Sequence, residues 1–349
     1  MKVNTAELKA AICAAKKGVG KFSPYIRLAA SENELIVVGA SNEMTVKIRV
    51  AGEGNDTFDA FVGAYTLEGI VSNLPASEEK TSLTESPLYI QICAGKSRMK
   101  IPKAQAVNLE RKIDEDIEKR EVESLDFIQN VCHATSMQTR AVHPLFKAVF
   151  IEMGKNSMKA SATDSYRASI RGIGESDMQG IIVSSCEARN ACRIIRGAAR
   201  IGFPESGKYL VLENDSVQII LGAIDGHYYD LEALMLNRPD SVSTSVDRQE
   251  LVETLQMCSV ISNYTEMHLA KEGLEVNAEG ETGAAFQTME AKNVKGVAIG
   301  ESYYATEYLL EAVKSMQDER VNLHFGSYYK PLIVTGNDDE KEVILPVRK

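Results

Sequence analysis

Four arginines spaced to share one helical stripe are the first candidates for chemistry in this chain. In Ser185-Cys-Glu-Ala-Arg-Asn-Ala-Cys-Arg-Ile-Ile-Arg-Gly-Ala-Ala-Arg200, the residues Arg189, Arg193, Arg196 and Arg200 stand at i, i+4, i+7 and i+11. Only Glu187 offsets them nearby. Such a row suits contact with phosphates, which needs positive charge but no fixed base sequence. An earlier segment repeats the pattern more weakly, with Lys9, Lys16 and Lys17 on one side and Lys21 just beyond, and Arg140 is a further candidate of the same kind. The plain alternative for any one of these helices is a solvated surface. The chain's balance tips the reading toward phosphate contact. With 39 basic against 49 acidic residues and a net charge of −10, it cannot coat nucleic acid with its whole surface, so local basic stripes stand out.

No other set of residues supports chemistry. The five histidines (His133, His143, His227, His268, His324) have no metal-ligand spacing among themselves or with the six cysteines, so neither a metal nor a cofactor is expected. Gly18-Val-Gly-Lys21 follows a helix and lacks the full phosphate-loop pattern, and no nucleophile elbow occurs. Cys132 and His133 are adjacent on a helix and point apart, which suits a core cysteine better than a nucleophile–base pair. The acidic runs Asp114-Glu115-Asp116 and Asp338-Asp339-Glu340 read as solvated loops. An enzyme reading has no residues to rest on.

The elements that must position these residues repeat. A first amphipathic helix is predicted at 6–17, 124–134 and 247–260, and a hairpin follows at 34–50, 157–172 and 273–288. A second helix comes at 66–74, 187–200 and 306–316, and closing strands at 88–101, 209–221 and 321–347. The landmarks keep stride: Leu8, Leu125 and Leu251 are 117 and 126 residues apart, and Leu67, Glu187 and Glu307 are 120 and 120 apart. This predicts an α+β chain of three like domains, 1–119, 120–241 and 242–349, each of ordinary domain size. The mixed-charge run 108–123 reads as a solvated linker, and 237–245, with Pro239 and a serine/threonine cluster, as the second joint. No segment suggests a membrane span or a targeting signal, and the cysteines lack disulfide density. A cytoplasmic setting is therefore expected.

The middle hairpin is the most distinctive stretch. Met158, Ala160 and Ala162 alternate with Lys159 and Ser161, and Thr163-Asp164-Ser165 then breaks the alternation with residues that bond to their own backbone. Together, Ala162-Thr-Asp-Ser-Tyr-Arg-Ala-Ser169 and the ending Val343-Ile-Leu-Pro-Val-Arg348 resemble the β sliding clamps of bacterial DNA polymerase III. The resemblance covers all three repeats. It implies a head-to-tail homodimeric ring around double-stranded DNA, with helices lining the hole and sheets outside. It also implies a non-catalytic processivity factor that a polymerase, a clamp loader and repair proteins engage through short apolar peptides. The competing class is an acidic three-repeat scaffold that binds proteins and never encloses DNA.

By the same resemblance the peptide cleft would be walled by Thr163, Ser165, Tyr166, Arg167 and Ala168 from the hairpin. Val343, Leu345, Pro346, Val347 and Arg348 would come from the last strand, and Phe146, Tyr229 and Leu234 would extend the wall. The subunit junction would set Met99 and Ile101 against Val260 and Ile261. The family often carries Gly-His where this chain has Ser165-Tyr166, an apolar residue at Ala168, and an apolar end near Lys349, which implies a reshaped pocket floor.

Overall fold

The computed structural model describes residues 1–75, 77–135, 143–172, 178–236, 242–270, 273–281, 283–296, 302–326, 330–336 and 339–348. Its helices are α1 (Thr5–Ala15), α2 (Ala64–Ser72), α3 (Asp126–Val131), α4 (Ser185–Ile194), α5 (Leu231–Leu236), α6 (Arg248–Ile261) and α7 (Thr306–Ser315). All but α5 fall where the apolar periodicity places them. Helices α1 and α6 begin on side-chain caps. Asn4 accepts from the Ala6 and Glu7 amides, and Asp247 from the Glu250 amide at 2.8 Å, satisfying donors a helix start leaves unpaired.

Packing divides the chain into two units, Met1–Leu125 with Cys186–Ile224 and Asp126–Ser185 with Asp225–Lys349. The first is built on a twelve-stranded sheet. Its order is Lys2–Asn4, Lys80–Glu85, Tyr89–Ala94, Ser97–Ala104, Phe58–Gly63, Tyr25–Ser31, Glu34–Ala40, Met44–Glu53, Val217–Gly222, Tyr209–Glu213, Ala199–Gly202 and Arg120–Val122. Leu8 and Ile12 of α1 are buried where that helix packs on α2 and on strands 34–40 and 44–53. The seam between the first and middle thirds is the antiparallel ladder that pairs Ile219 with Val46.

The second unit holds a nine-stranded sheet and a four-stranded one. The larger runs Gln179–Ser184, Ala148–Met153, Met158–Thr163, Arg167–Gly172, Glu340–Ile344, Leu332–Thr335, Arg320–Phe325, Val242–Asp247 and Lys292–Gly296. The smaller runs Gly283–Met289, Leu274–Gly280, Tyr264–Leu269 and Ser302–Ala305. Helices α6 and α7 pack on each other, and Leu251, Leu255, Leu309 and Val313 close a core with Val276, Val321 and Leu323. The residues of the middle third are thus shared between the units, because its two halves extend the sheets of different neighbours.

Three expectations change. The helix predicted over 187–200 stops at Ile194, since Gly197 adopts a left-handed φ of 78° and Ala199–Gly202 returns as a strand. The run 108–123 is not a free linker. Ile113 and Ile117 pack against Tyr209, Val211 and Ile220, the Tyr209 hydroxyl donates to Asp114 at 3.0 Å, and Arg120–Val122 joins the sheet. The second joint ends early: 237–241 lie outside the described residues, and Val242–Asp247 is an interior strand whose alternating Val-Ser-Thr-Ser-Val suits a pleated surface.

Candidate functional site

The Thr163-Asp164-Ser165 turn bonds to itself as its residue types predict. Thr163 Oγ1 donates to the Arg167 carbonyl at 2.7 Å, and Asp164 Oδ1 accepts from the Tyr166 and Arg167 amides at 2.9 and 3.0 Å. Ser165 takes the left-handed region at φ 79°. The strand leaving the turn pairs with the final strand, Ala168 opposite Val343, and the Leu345 amide donates to the Tyr166 carbonyl at 2.9 Å. These contacts open a recess of about 190 Å³ walled by Thr163, Ser165, Tyr166, Arg167, Ala168, Val343 and Leu345. Leu231, Pro331 and Ile333 complete it. The walls are mostly apolar with a polar rim, the usual form of a site for an apolar peptide side chain.

Arg167 contributes its stem and not its charge. Its guanidinium bonds Asp164 at 3.1 Å and Glu311, and lies 4.2 Å from the Tyr308 ring centre. Tyr228 holds the other side: its hydroxyl accepts from the Thr163 amide at 3.1 Å and donates to the Ala148 carbonyl at 3.2 Å. Burial pushes that phenol's pKa up, so it stays a neutral hydrogen-bonding group. Phe146 and Tyr229 stack at 5.5 Å, and neither is among the residues that wall this recess. Leu231 leads into a second, polar recess of about 300 Å³ where Lys159 meets Glu152 at 2.8 Å and Glu232 at 3.3 Å. Leu234 is placed on α5, its side chain outside the described residues. Pro346, Val347 and Arg348 run past the recess, with the Val347 amide donating to the Tyr303 carbonyl at 2.7 Å.

Sequence reasoning missed Leu231, Pro331, Ile333 and Tyr228. Ile333 carried a usable signal, since it alternates with the buried Leu332 and Val334. Leu231 follows Asp230, which caps α5 by accepting from the Ala233 amide at 2.9 Å, but neither residue belongs to the motif.

The basic residues divide by geometry. Arg189 and Arg193 lie on α4 one turn apart and Arg196 is exposed just past its end. Arg200 leaves the stripe: it sits on a strand, 3.3 Å from both Glu213 and Asp215, because the helix has already ended. Lys9 donates to the Leu74 carbonyl at 2.9 Å, while Lys16 pairs with Glu68 and stands 4.6 Å over the Tyr65 ring. Lys17 and Lys21 are exposed. Arg140 and Lys349 lie outside the described residues. At the start of α4, burial and then the Glu187 carboxylate push the Cys186 thiol up, with Glu43 adding and Arg189 and Arg193 opposing.

At the expected junction, Val260 is 82% exposed and Ile261 half-buried. Met99 is half-buried, but Ile101 is 2% exposed and belongs to its own core, because Met99 and Ile101 share the inward face of Ser97–Ala104 while Arg98 and Lys100 point out. Among the described residues no cluster could hold a metal ion, and no helix is long and apolar enough to cross a membrane.

No family model matches the chain. It is 22% identical to the beta sliding clamp of Staphylococcus aureus over 93% of this chain and 91% of the relative. The DNA polymerase III beta subunit of Thermotoga maritima superposes with a TM-score of 0.86 at 17% identity, covering 100% of this chain and 99% of that one. The corresponding subunit of Pseudomonas aeruginosa gives 0.87 at 18% over the same shares. From end to end the chain has the fold of the DNA polymerase III beta subunit, and its sequence is similar along its length to beta sliding clamps.

Proposed function

We propose that this chain is a DNA sliding clamp. Two copies, each of three repeats over 1–119, 120–241 and 242–349, close head to tail around duplex DNA and hold it by topology. The ring tethers a polymerase, a clamp loader and repair proteins through short apolar peptides. It catalyses no reaction. The observation that carries this reading is the apolar recess built jointly by the 163–168 hairpin and the 343–345 strand, in a chain with the beta-subunit fold throughout.

Two unpaired sheet edges support the ring. Ser97–Pro102 pairs only with Tyr89–Ala94 among the described residues, and Gly283–Met289 is the end strand of its sheet. Such edges invite pairing unless covered. Their charges are complementary: exposed Lys96, Arg98 and Lys100 border one, and exposed Glu279 and Glu281 the other. Phe286, 65% exposed, and Val260 supply apolar area beside the second edge. Two unlike edges on one chain make a head-to-tail contact that closes when the rotation allows.

Arg189, Arg193, Arg196, Lys17 and Lys21 would face the DNA, and Lys9, Lys16 and Arg200 would add to the field. Such contact is delocalised and salt-dependent, which permits sliding. The test is the mass and shape of the particle in solution: a dimer with a central hole wide enough for duplex DNA is expected. A stable monomer without a hole would leave the acidic scaffold as the reading.

A further inference from the structure

Phe22 is 99% exposed, more than any other large apolar side chain among the described residues. It shares with Lys21 the centre of a turn closed by the bridge between Gly20 and Ser23. The turn is held from below. A Cβ on Gly18 would stand 2.5 Å from the Gly39 carbonyl oxygen and one on Gly20 3.0 Å from Ser41 Cβ. Ser23 is buried, and the Pro24 carbonyl accepts from the Ala64 amide at 2.9 Å. Turn centres take glycine, asparagine or aspartate for conformational reasons, and none of those reasons applies to phenylalanine. Core packing does not require it either, since the ring touches water on all sides. Lys21 adjoins it and Lys17 lies on the short helical turn Lys16–Gly18 that leads into it, both exposed and without an ion pair among the described residues, while Glu43 lies on the neighbouring 41–43 turn.

We propose that Phe22 is a stacking tip for an unpaired base of DNA, with Lys17 and Lys21 on the adjoining phosphates. The inference rests on the DNA-clamp reading and adds to it a contact that senses single strand. An aromatic face set among cations is the combination that binds single strands without regard to sequence, since every base offers a π-face. Bases inside a duplex are already stacked and offer none. Because the turn is pinned at both ends, little conformational freedom is lost on contact. The result is a brake where the enclosed DNA passes from duplex to single strand.

The chain contains no tryptophan, so Phe22→Trp places a sole indole at the tip. The full-length variant is mixed with a linear duplex carrying a thymine overhang and, separately, with the blunt duplex. Anisotropy of a dye on the DNA reports binding, and tryptophan emission reports the contact. Quenching with the overhang DNA and not with the blunt duplex is expected, and Phe22→Ala should shorten residence on overhang DNA about tenfold while leaving blunt duplex unchanged. Binding by anisotropy without quenching overturns the stacking tip and leaves the clamp reading intact. Equal quenching by both DNAs overturns the assignment to unpaired bases. Emission that shifts with protein concentration alone assigns Phe22 to a contact between copies and overturns the proposal, as does the absence of binding to the overhang DNA, whereas the clamp reading, which predicts loss from linear duplex, is decided separately by retention on a closed circle.

Discussion

Arg171 and Glu342 meet at 2.7 Å, 3% and 1% exposed, where the middle hairpin is sewn to the final strand. Ser169 donates to the same carboxylate at 2.7 Å, Ser315 at 3.1 Å, and His133 reaches it at 3.1 Å. Burial alone would raise the Glu342 carboxyl's pKa, but His133, Arg171 and these hydrogen bonds hold it below its ordinary value.

A depressed folded pKa gives a definite sign. The folded chain releases this proton more readily than the unfolded one, so the stabilisation is complete above the ordinary glutamate range and is lost as pH falls through the folded value. Glu340, raised chiefly by burial, acts in the opposite sense. Glu342→Gln leaves the buried Arg171 with only the more distant Glu340, at 3.7 Å, as countercharge and should cost about 3 kcal/mol at neutral pH. Urea midpoints should show that gap narrowing on acidification; a gap independent of pH would contradict the assignment.

Ser165 is the strained residue of the recess. A non-glycine residue in the left-handed region costs about 1–2 kcal/mol, and Ser165 occupies it at φ 79°. Ser165→Gly removes the clash but frees the unfolded chain, a partial offset. A net gain of about 0.5–1 kcal/mol by denaturant titration is expected, and Ser165→Val should be destabilising. A loss on changing to glycine would refute the strain argument.

Much of this was legible in the sequence because its signals are local. Alternation marked the 158–163 strand, apolar spacing marked six of the helices, and the Thr-Asp-Ser turn declared its own hydrogen bonds. What was not legible depends on tertiary partners. Gly197 ended α4 early and carried Arg200 to Glu213, although the i+11 spacing continued the stripe. Ile113 and Ile117 looked too sparse to pack until the Tyr209 surface appeared beneath them. Ile101 faced inward because the strand's pleat, set by its pairing with Ile90, left Arg98 and Lys100 outside.

The recess should respond to its floor. Ala168→Phe would fill the space beside Val343 and Leu231. Losing the burial of one apolar anchor is worth about 1.5–3 kcal/mol, so a labelled peptide with adjacent leucine and phenylalanine should bind about 10- to 100-fold more weakly by anisotropy. Retention on DNA should not change. Undiminished peptide binding would move the site elsewhere.

Val260 offers a cleaner test of the junction than Ile261, because its side chain is exposed and its replacement leaves the core intact. Val260→Asp should weaken the dimer about thirtyfold or more, read by sedimentation, with the circular-dichroism spectrum preserved. A variant as dimeric as its parent would remove α6 from the interface.

The account's central claim is enclosure, and topology tests it most directly. The ring is placed on a nicked circular duplex by a clamp loader and ATP, freed of unbound protein, and half the sample is cut once with a restriction enzyme. Retention on the circle with rapid loss from the cut DNA is predicted, at salt high enough to screen phosphate contacts. Equal retention on both forms, or loss from both, would contradict it.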